Sequence, residues 1–379
     1  MRTRLAAIVG AAFCAAAAVG LSVAASAPAP APEEALGAAE AAKAHAASGE
    51  VVSRIAFGSC LKQNRPQPIW DAVLAARPDV FVFLGDNVYA DTSDIDELKS
   101  CYDRLAAQPG FQALREACSV LATWDDHDYC KNGSDGSFRG KRDSQRVFAD
   151  FWGDGPDSPR RGRDGVYDAV TFGPDGRRVQ IILLDGRFFR SKRQGTMLGE
   201  AQWKWLEGRL REEADVRIIA SCSQFVASHH GADKWADIPS ERNRMIELIN
   251  RTGAKGVIFI SGDRHHAELS RLTAERRHPV AETGLPWDPS RDARSAAGES
   301  VPAQPSYPLY DVTSSSLNRA KWFVMESNPH RLGKAFPKSN FGLIEIDWSR
   351  SDPVISMQVR DVEGRVRISH EVLLSELQG

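Results

Sequence analysis

The sequence has no excess of charge of either sign: 48 Lys and Arg stand against 50 Asp and Glu, for a formal net charge of -2. That balance argues for neither nucleic acid nor an anionic membrane as partner of the chain as a whole, and no nucleic-acid specificity is evident. Basic clusters such as Arg160-Arg161-Gly162-Arg163 and Arg276-Arg277 are short and flanked by Pro, Gly and Asp, as in solvated loops. No internal repeat is evident, which excludes solenoids and propellers. Cysteine is scarce, six in 379 residues. After the first two dozen residues no apolar run is long enough to cross a bilayer, so no integral membrane domain is expected in the mature chain.

What is present at the N-terminus reads as a targeting segment. MRTR supplies positive charge, Leu5 to Leu21 is apolar and Ala-rich, and Ala25-Ser26-Ala27 fits a small-x-small cleavage site. The pattern predicts a Sec-type signal peptide over 1–27 and a secreted or periplasmic chain beginning near Pro28. The rival reading is a retained N-terminal anchor. The arginines are not adjacent, so no twin-arginine signal is visible, and Phe13 before Cys14 makes a poor lipidation site. Residues 28–50 read as an Ala/Pro/Glu-rich disordered or loosely helical linker.

Export implies an oxidising compartment. Without Cys14 the chain keeps Cys60, Cys101, Cys118, Cys130 and Cys222, an odd number. Cys60 is the natural thiol to be left over. Of the three connectivities open to the other four, Cys101–Cys118 with Cys130–Cys222 is the favoured pairing.

Residues 51–379 have the composition of one soluble globular domain. Five buried-strand patterns each run out into polar groups: SRIAFGSC (53–60), DVFVFLGDNVYA (79–90), SVLATWDDHD (119–128), VRIIASCSQ (216–224) and GVIFISGDRHH (256–266). Helical spacing lies between them, at 68–76, 95–106, 111–116, 144–152, 200–213 and 240–252, the last with Ser240 as its cap. Alternation of this kind predicts an α/β fold with a largely parallel sheet, in which ligands lie at the carboxyl ends of the strands. All five polar termini are therefore expected on one rim. The later strands, from 269 to 371, predict a second sheet or an antiparallel edge. A Pro/Ser/Gly-rich insertion at 275–306 is expected to be a partial lid, with plain disorder as the alternative.

The groups at these termini share a chemistry. Asp86 is placed to bridge two cations, with Tyr89 three residues on; Cys60 offers a thiolate; Asp126 and His127 close the third strand, and Asp263 and His265 the fifth. Thiolate, phenolate, imidazole and carboxylate together suit a transition ion beside a harder, oxygen-ligated ion such as calcium. Two such cations about 3.5–4 Å apart clamp the attacking and leaving oxygens of a phosphoryl displacement.

FGSC, GDNVY, WDDHD and GDRH, in this order, resemble the PhoD-type alkaline phosphatases of the calcineurin-like metallophosphoesterase superfamily. The resemblance implies a four-layer α/β/β/α sandwich with mixed sheets and a dinuclear or larger metal centre, Fe3+ with Ca2+. It implies that Cys60, Asp86, Tyr89 and Asp263 surround iron. The second ion would draw on Asp86, Asp126 and His265, with Asn87 close by, and His127 would act at the leaving group. One of Asp125 and Asp128 is a candidate supporting partner, and Arg264, His266, His229 and His230 are candidates to line the pocket. The superfamily's opening Asp-x-His is replaced by Gly58-Ser59-Cys60, and its middle metal-binding histidine has no clean match. No serine carries a nucleophile signature, so no covalent phosphoenzyme is expected. The implied activity is hydrolysis of phosphate mono- or diesters. A phosphodiesterase or phospholipase acting on lipid or polymer diesters, and an inactive metal-stabilised surface binding protein, are the rival readings.

Overall fold

The computed structural model describes residues 37–273 and 303–379. The expected signal peptide, Cys14 and nearly all of the 275–306 insertion lie outside the described residues. In chain order the strands are β1 (Arg54–Gly58), β2 (Val80–Leu84), β3 (Ser119–Thr123), β4 (Asp168–Phe172), β5 (Val179–Leu183), β6 (Val216–Ser221), β7 (Val257–Ser261), β8 (Ala267–Leu272), β9 (Leu309–Ser314), β10 (Asn340–Asp347), β11 (Val354–Asp361) and β12 (Val366–Leu373). The helices are α1 (Ala38–Ser48), α2 (Ile69–Ala75), α3 (Ile95–Ala106), α4 (Pro109–Ala117), α5 (Asp126–Tyr129), α6 (Lys141–Trp152), α7 (Pro159–Gly162), α8 (Gly199–Leu210) and α9 (Pro239–Thr252).

The strands form two six-stranded sheets, in the orders β12-β11-β10-β1-β2-β3 and β4-β5-β6-β7-β9-β8. β1, β2 and β3 are mutually parallel, as are β5, β6, β7 and β9. The later strands become antiparallel margins of both sheets: β10 to β12 extend the first beside β1, and β8 closes the second against β9. The expected single rim is thus shared by two sheets, with β1 to β3 in one and β6 and β7 in the other.

Strand periodicity explains the layering. Ile55, Phe57, Val80, Val82 and Leu84 of the first sheet join one core with Ile181, Ile218 and Phe259 of the second. The alternate residues Ala56, Phe81, Phe83, Val120 and Ala122 face the helical layer of Trp70, Leu98, Phe111, Phe148 and Trp152. α8 and α9 bring Trp203, Leu206, Leu210, Met245, Leu248 and Ile249 to the core of the second sheet. This is the mixed-sheet α/β/β/α sandwich that the resemblance implied.

Several expectations are corrected. Nearly half of the expected linker is helix α1, because its Ala38, Ala39 and Ala42 are small enough to be buried against the body of the domain. α9 starts at Pro239 with Ile238 at its cap; Pro suits the first helical position, and Ser240 lies inside. Neither favoured disulfide is formed. Cys60, Cys101, Cys118, Cys130 and Cys222 are all free, with Cys101 on α3 beside Glu97 and Arg104 and Cys222 buried beside Asp125 and Arg187.

Phe83 is fully buried and packs its ring against Trp70, Phe81, Phe111 and Trp152. Phe83→Ala is expected to lower the free energy of unfolding by about 3–5 kcal/mol, read from urea denaturation.

Candidate metal centre

Two glycines let the strand ends converge. Gly85 has φ +94°, and a Cβ there would stand 2.5 Å from the Asp125 Cβ, so β2 and β3 can approach at the rim only with glycine at this position. A Cβ on Gly262, after β7, would stand 2.7 Å from Ser59 Oγ and 3.0 Å from the Cys222 carbonyl, where the two sheets meet. Just beyond these points Cys60, Asp86, Asp263 and His265 take left-handed φ values of 59°, 51°, 67° and 56°. Such conformations cost a non-glycine residue of order 1–3 kcal/mol and cluster at functional sites.

Asp86 is the hub. Cys60 Sγ donates to its Oδ2 at 3.3 Å and Tyr89 Oη to the same oxygen at 2.7 Å. Tyr89 Oη lies 3.3 Å from His265 Nε2, and Ser315 Oγ accepts from the His265 amide at 2.9 Å while standing 3.1 Å from Cys60 Sγ. Three groups of side chains bring their donor atoms within 4.8 Å of one another: Cys60, Asp86 and His265; Asp86, Asp126 and His127; and Asp86, Asp125, Asp126 and Asp263. Asp86 belongs to all three. The geometry thus places His265 with Cys60 and Asp263 with Asp126, the reverse of the division that the sequence resemblance implied.

The buried oxygens Asp86 Oδ1, Asp125 Oδ2, Asp126 Oδ1 and Asp263 Oδ2 have no hydrogen-bond partner. Orphaned buried acceptors of one sign are costly unless a cation completes them, so these residues fit a metal centre. Burial first, and then the neighbouring carboxylates, push the carboxyls of Asp86 and Asp263 well above the ordinary range. Burial and the charge of Asp86 likewise raise the Cys60 thiol and the Tyr89 phenol. Burial and the cationic side chains of Arg319 and Lys321 lower His265 to about 3, so its imidazole is neutral and available as a ligand. A bound cation inverts the logic for the acids and favours their ionised forms.

The flanking residues sort clearly. His127 Nδ1 is hydrogen-bonded to Asp91, and its ring lies 4.3 Å from that of Tyr89. Asp128 organises rather than lines the cluster: its oxygens accept from Asn87 Nδ2 (2.6 Å) and the Asp125 amide (2.7 Å), and burial raises it to about 8. Asn87 Oδ1 stays without a partner. His266 turns aside to the Arg264 carbonyl at 2.9 Å, and Arg264 pairs with Glu326 at 3.1 Å. His229 is exposed and bonded to Ser228; His230 is half-buried, lowered to about 4 by burial and by Arg264 and Lys234. Neither joins the ligand groups.

Sequence reading passed over Asp91, Arg187, Ser315 and Arg319, and took Asp125 no further than an alternative to Asp128 as a supporting partner. Arg187, at 0% exposure, donates through Nε to Asp125 Oδ1 at 2.5 Å and through Nη1 to Asp233 Oδ2 at 2.9 Å, with Nη2 3.7 Å from Asp126 Oδ1. Burial works against its charge, but these carboxylates hold it above the usual value. The one available signal for Asp125 was its place beside Asp126 in WDDHD. Arg187, in DGRFFR, had none.

Two mixed sheets thus share a rim of buried carboxylates, thiol and imidazole. The profile of the PhoD-like phosphatases matches residues 55–287, and the chain belongs to that family. Its fold is similar to a solved structure of PhoD, at 16% identity and TM-score 0.58 over 85% of this chain and 73% of that one. It is similar to GAP50, the anchor in the inner membrane complex of Plasmodium, at 13% identity and TM-score 0.53 over 86% and 89% of the two chains. It is similar too to a purple acid phosphatase from yellow lupin (Lupinus luteus) seeds, at 11% identity and TM-score 0.55 over 86% and 54%. No curated protein sequence matches the chain. Membership of the family implies a metal centre and a phosphate-ester substrate.

Arg187→Met leaves buried Asp125 without its counter-charge, whereas Asp233 keeps Arg190 and Lys192. The substitution is expected to cost about 3–5 kcal/mol of stability, measured by denaturant unfolding of the purified protein.

Proposed function

We propose that the chain is an exported, metal-dependent phosphoesterase that hydrolyses phosphate mono- or diesters by direct attack of water. The observation that carries this reading is the set of four unpartnered buried carboxylate oxygens around Asp86. Cys60, Asp86, Tyr89 and His265 would hold one cation, and their thiolate, phenolate and imidazole donors suit Fe3+. Asp86, Asp125, Asp126 and Asp263, with Asn87 nearby, would hold a second through oxygen alone, which suits Ca2+. Bound there, the cations would supply Lewis acidity, neutralising phosphate oxygens and lowering the pKa of water from 15.7 towards about 7.

The chain's own groups do the rest. Asp91 fixes His127 through Nδ1, which leaves Nε2 to give a proton to the departing oxygen. Asp128 fixes Asn87, and Arg187 offsets part of the negative charge from behind. Arg319 and Lys62 lie over the Tyr89 ring, at 4.4 and 5.0 Å, and their charge draws an anionic ester to the mouth. Export rests on the N-terminal sequence alone; among the described residues no helix is long and apolar enough to cross a membrane.

Elemental analysis of the purified protein is expected to find iron and calcium, with a violet or blue absorbance band that Tyr89→Phe shifts or removes. A colourless, iron-free enzyme of full activity would refute the roles of Cys60 and Tyr89 and spare the phosphatase. His127→Gln is expected to lower kcat by about 10²–10⁴, most for esters with poor leaving groups. Turnover of nitrophenyl and bis-nitrophenyl phosphate separates monoesterase from diesterase. No turnover of either, with iron and calcium supplied, would leave the surface binding protein as the reading.

A further inference from the structure

Trp322, Phe323 and Met325 are 96%, 66% and 83% exposed, three large apolar side chains within four residues on the segment that joins β9 to β10. A contiguous exposed apolar patch marks an interaction surface. The base of this loop is pinned. Lys321 donates its amide to the Pro337 carbonyl at 3.0 Å, and Glu326 accepts from both Lys321 and Arg264 at 3.1 Å. Arg331 Nη2 donates to the Glu326 carbonyl at 3.0 Å. The tip therefore projects from a fixed frame at the mouth of the candidate site, with Arg319 on Tyr89 at one side and Arg264, next to Asp263, at the other. Between residues 318 and 340 stand five basic side chains, Arg319, Lys321, Arg331, Lys334 and Lys338, against the single acid Glu326, in a chain whose total is -2.

We propose that this loop docks the rim on an anionic lipid surface, with Trp322, Phe323 and Met325 entering the headgroup–acyl boundary. Lys334 and Lys338, both exposed, would then face the anionic headgroups. An apolar tip with an aromatic residue and a cationic collar is the composition that binds such interfaces. A second copy of the chain is the poorer occupant, since a twofold contact through this patch would set one basic collar against another. The docking stands apart from the phosphoesterase reading; that the site mouth then faces the lipid rests on it.

Sedimentation of the purified full chain with vesicles tests the proposal. Binding to vesicles of equimolar phosphatidylcholine and phosphatidylglycerol is expected to be strong and salt-sensitive, and binding to pure phosphatidylcholine weak. Trp322→Ser, Phe323→Ser and Met325→Ser together are expected to lower partition at least about tenfold. Lys334→Gln with Lys338→Gln should lower it roughly fivefold per charge removed. Turnover of soluble nitrophenyl phosphate should be the same in the triple variant as in the parent, which also certifies its fold. Absence of that turnover in both proteins would sink the phosphoesterase reading and leave the docking standing. Failure of the parent to bind the mixed vesicles, or binding indifferent to the triple change, overturns the docking. So does self-association that the triple change abolishes, which identifies a second copy as the occupant.

Discussion

Mutual repulsion among the acids around Asp86 is the constraint on which the rest of the structure depends. Asp86, Asp125, Asp126 and Asp263 bring their oxygens within 4.8 Å of one another. At about 4 Å two like charges repel by about 4 kcal/mol even at an effective dielectric near 20. Arg187 answers part of this from behind, pinned in turn by Asp233 on a separate loop. The remainder is met by protonation or by cations at the front, which is why burial and crowding drive Asp86 and Asp263 upward when no cation is present.

Such a cluster needs a scaffold that cannot relax away from it. β1 to β3 reach the rim from one sheet and β6, β7 and β9 from the other, so retreat of any one carboxylate would mean breaking a strand pairing within a dry core. The close approaches at Gly85 and Gly262 bring the rim segments together. The left-handed turns at Cys60, Asp86, Asp263 and His265 then aim side chains inward that an extended continuation would send to alternate faces. Local strain is held in place by packing, much of it from the aromatic rings around Phe83.

The legibility of the sequence follows from that division. Strand cores were readable because five apolar residues followed by Gly-Asp or Asp-His break a pattern sharply. Cys60, Asp86, Tyr89, Asp126, His127, Asp263 and His265 lie together at the rim. What was hidden depends on direction or on partners remote in the chain. Asp125 and Asp128 flank the same motif, yet Asp125 enters the cluster while Asp128 supports Asn87, a difference set by one short helical turn. Arg187 reaches Asp125 across 62 residues. The free cysteines were misjudged because compartment and parity say nothing of where each thiol points.

The fold by itself does not decide what such a rim does, since one similar structure is an anchor and others are phosphatases. In this chain the polar and apolar features of the rim are mechanically joined through Arg319. Its guanidinium rests 4.4 Å from the centre of the Tyr89 ring, and it lies three residues before Trp322 on a loop clamped at Glu326. Because Arg319 favours the ionised phenol while Asp86 opposes it, the position of this loop sets part of the charge balance at the hub. Arg319 thus belongs both to the loop that carries the apolar tip and to the electrostatic surroundings of the hub.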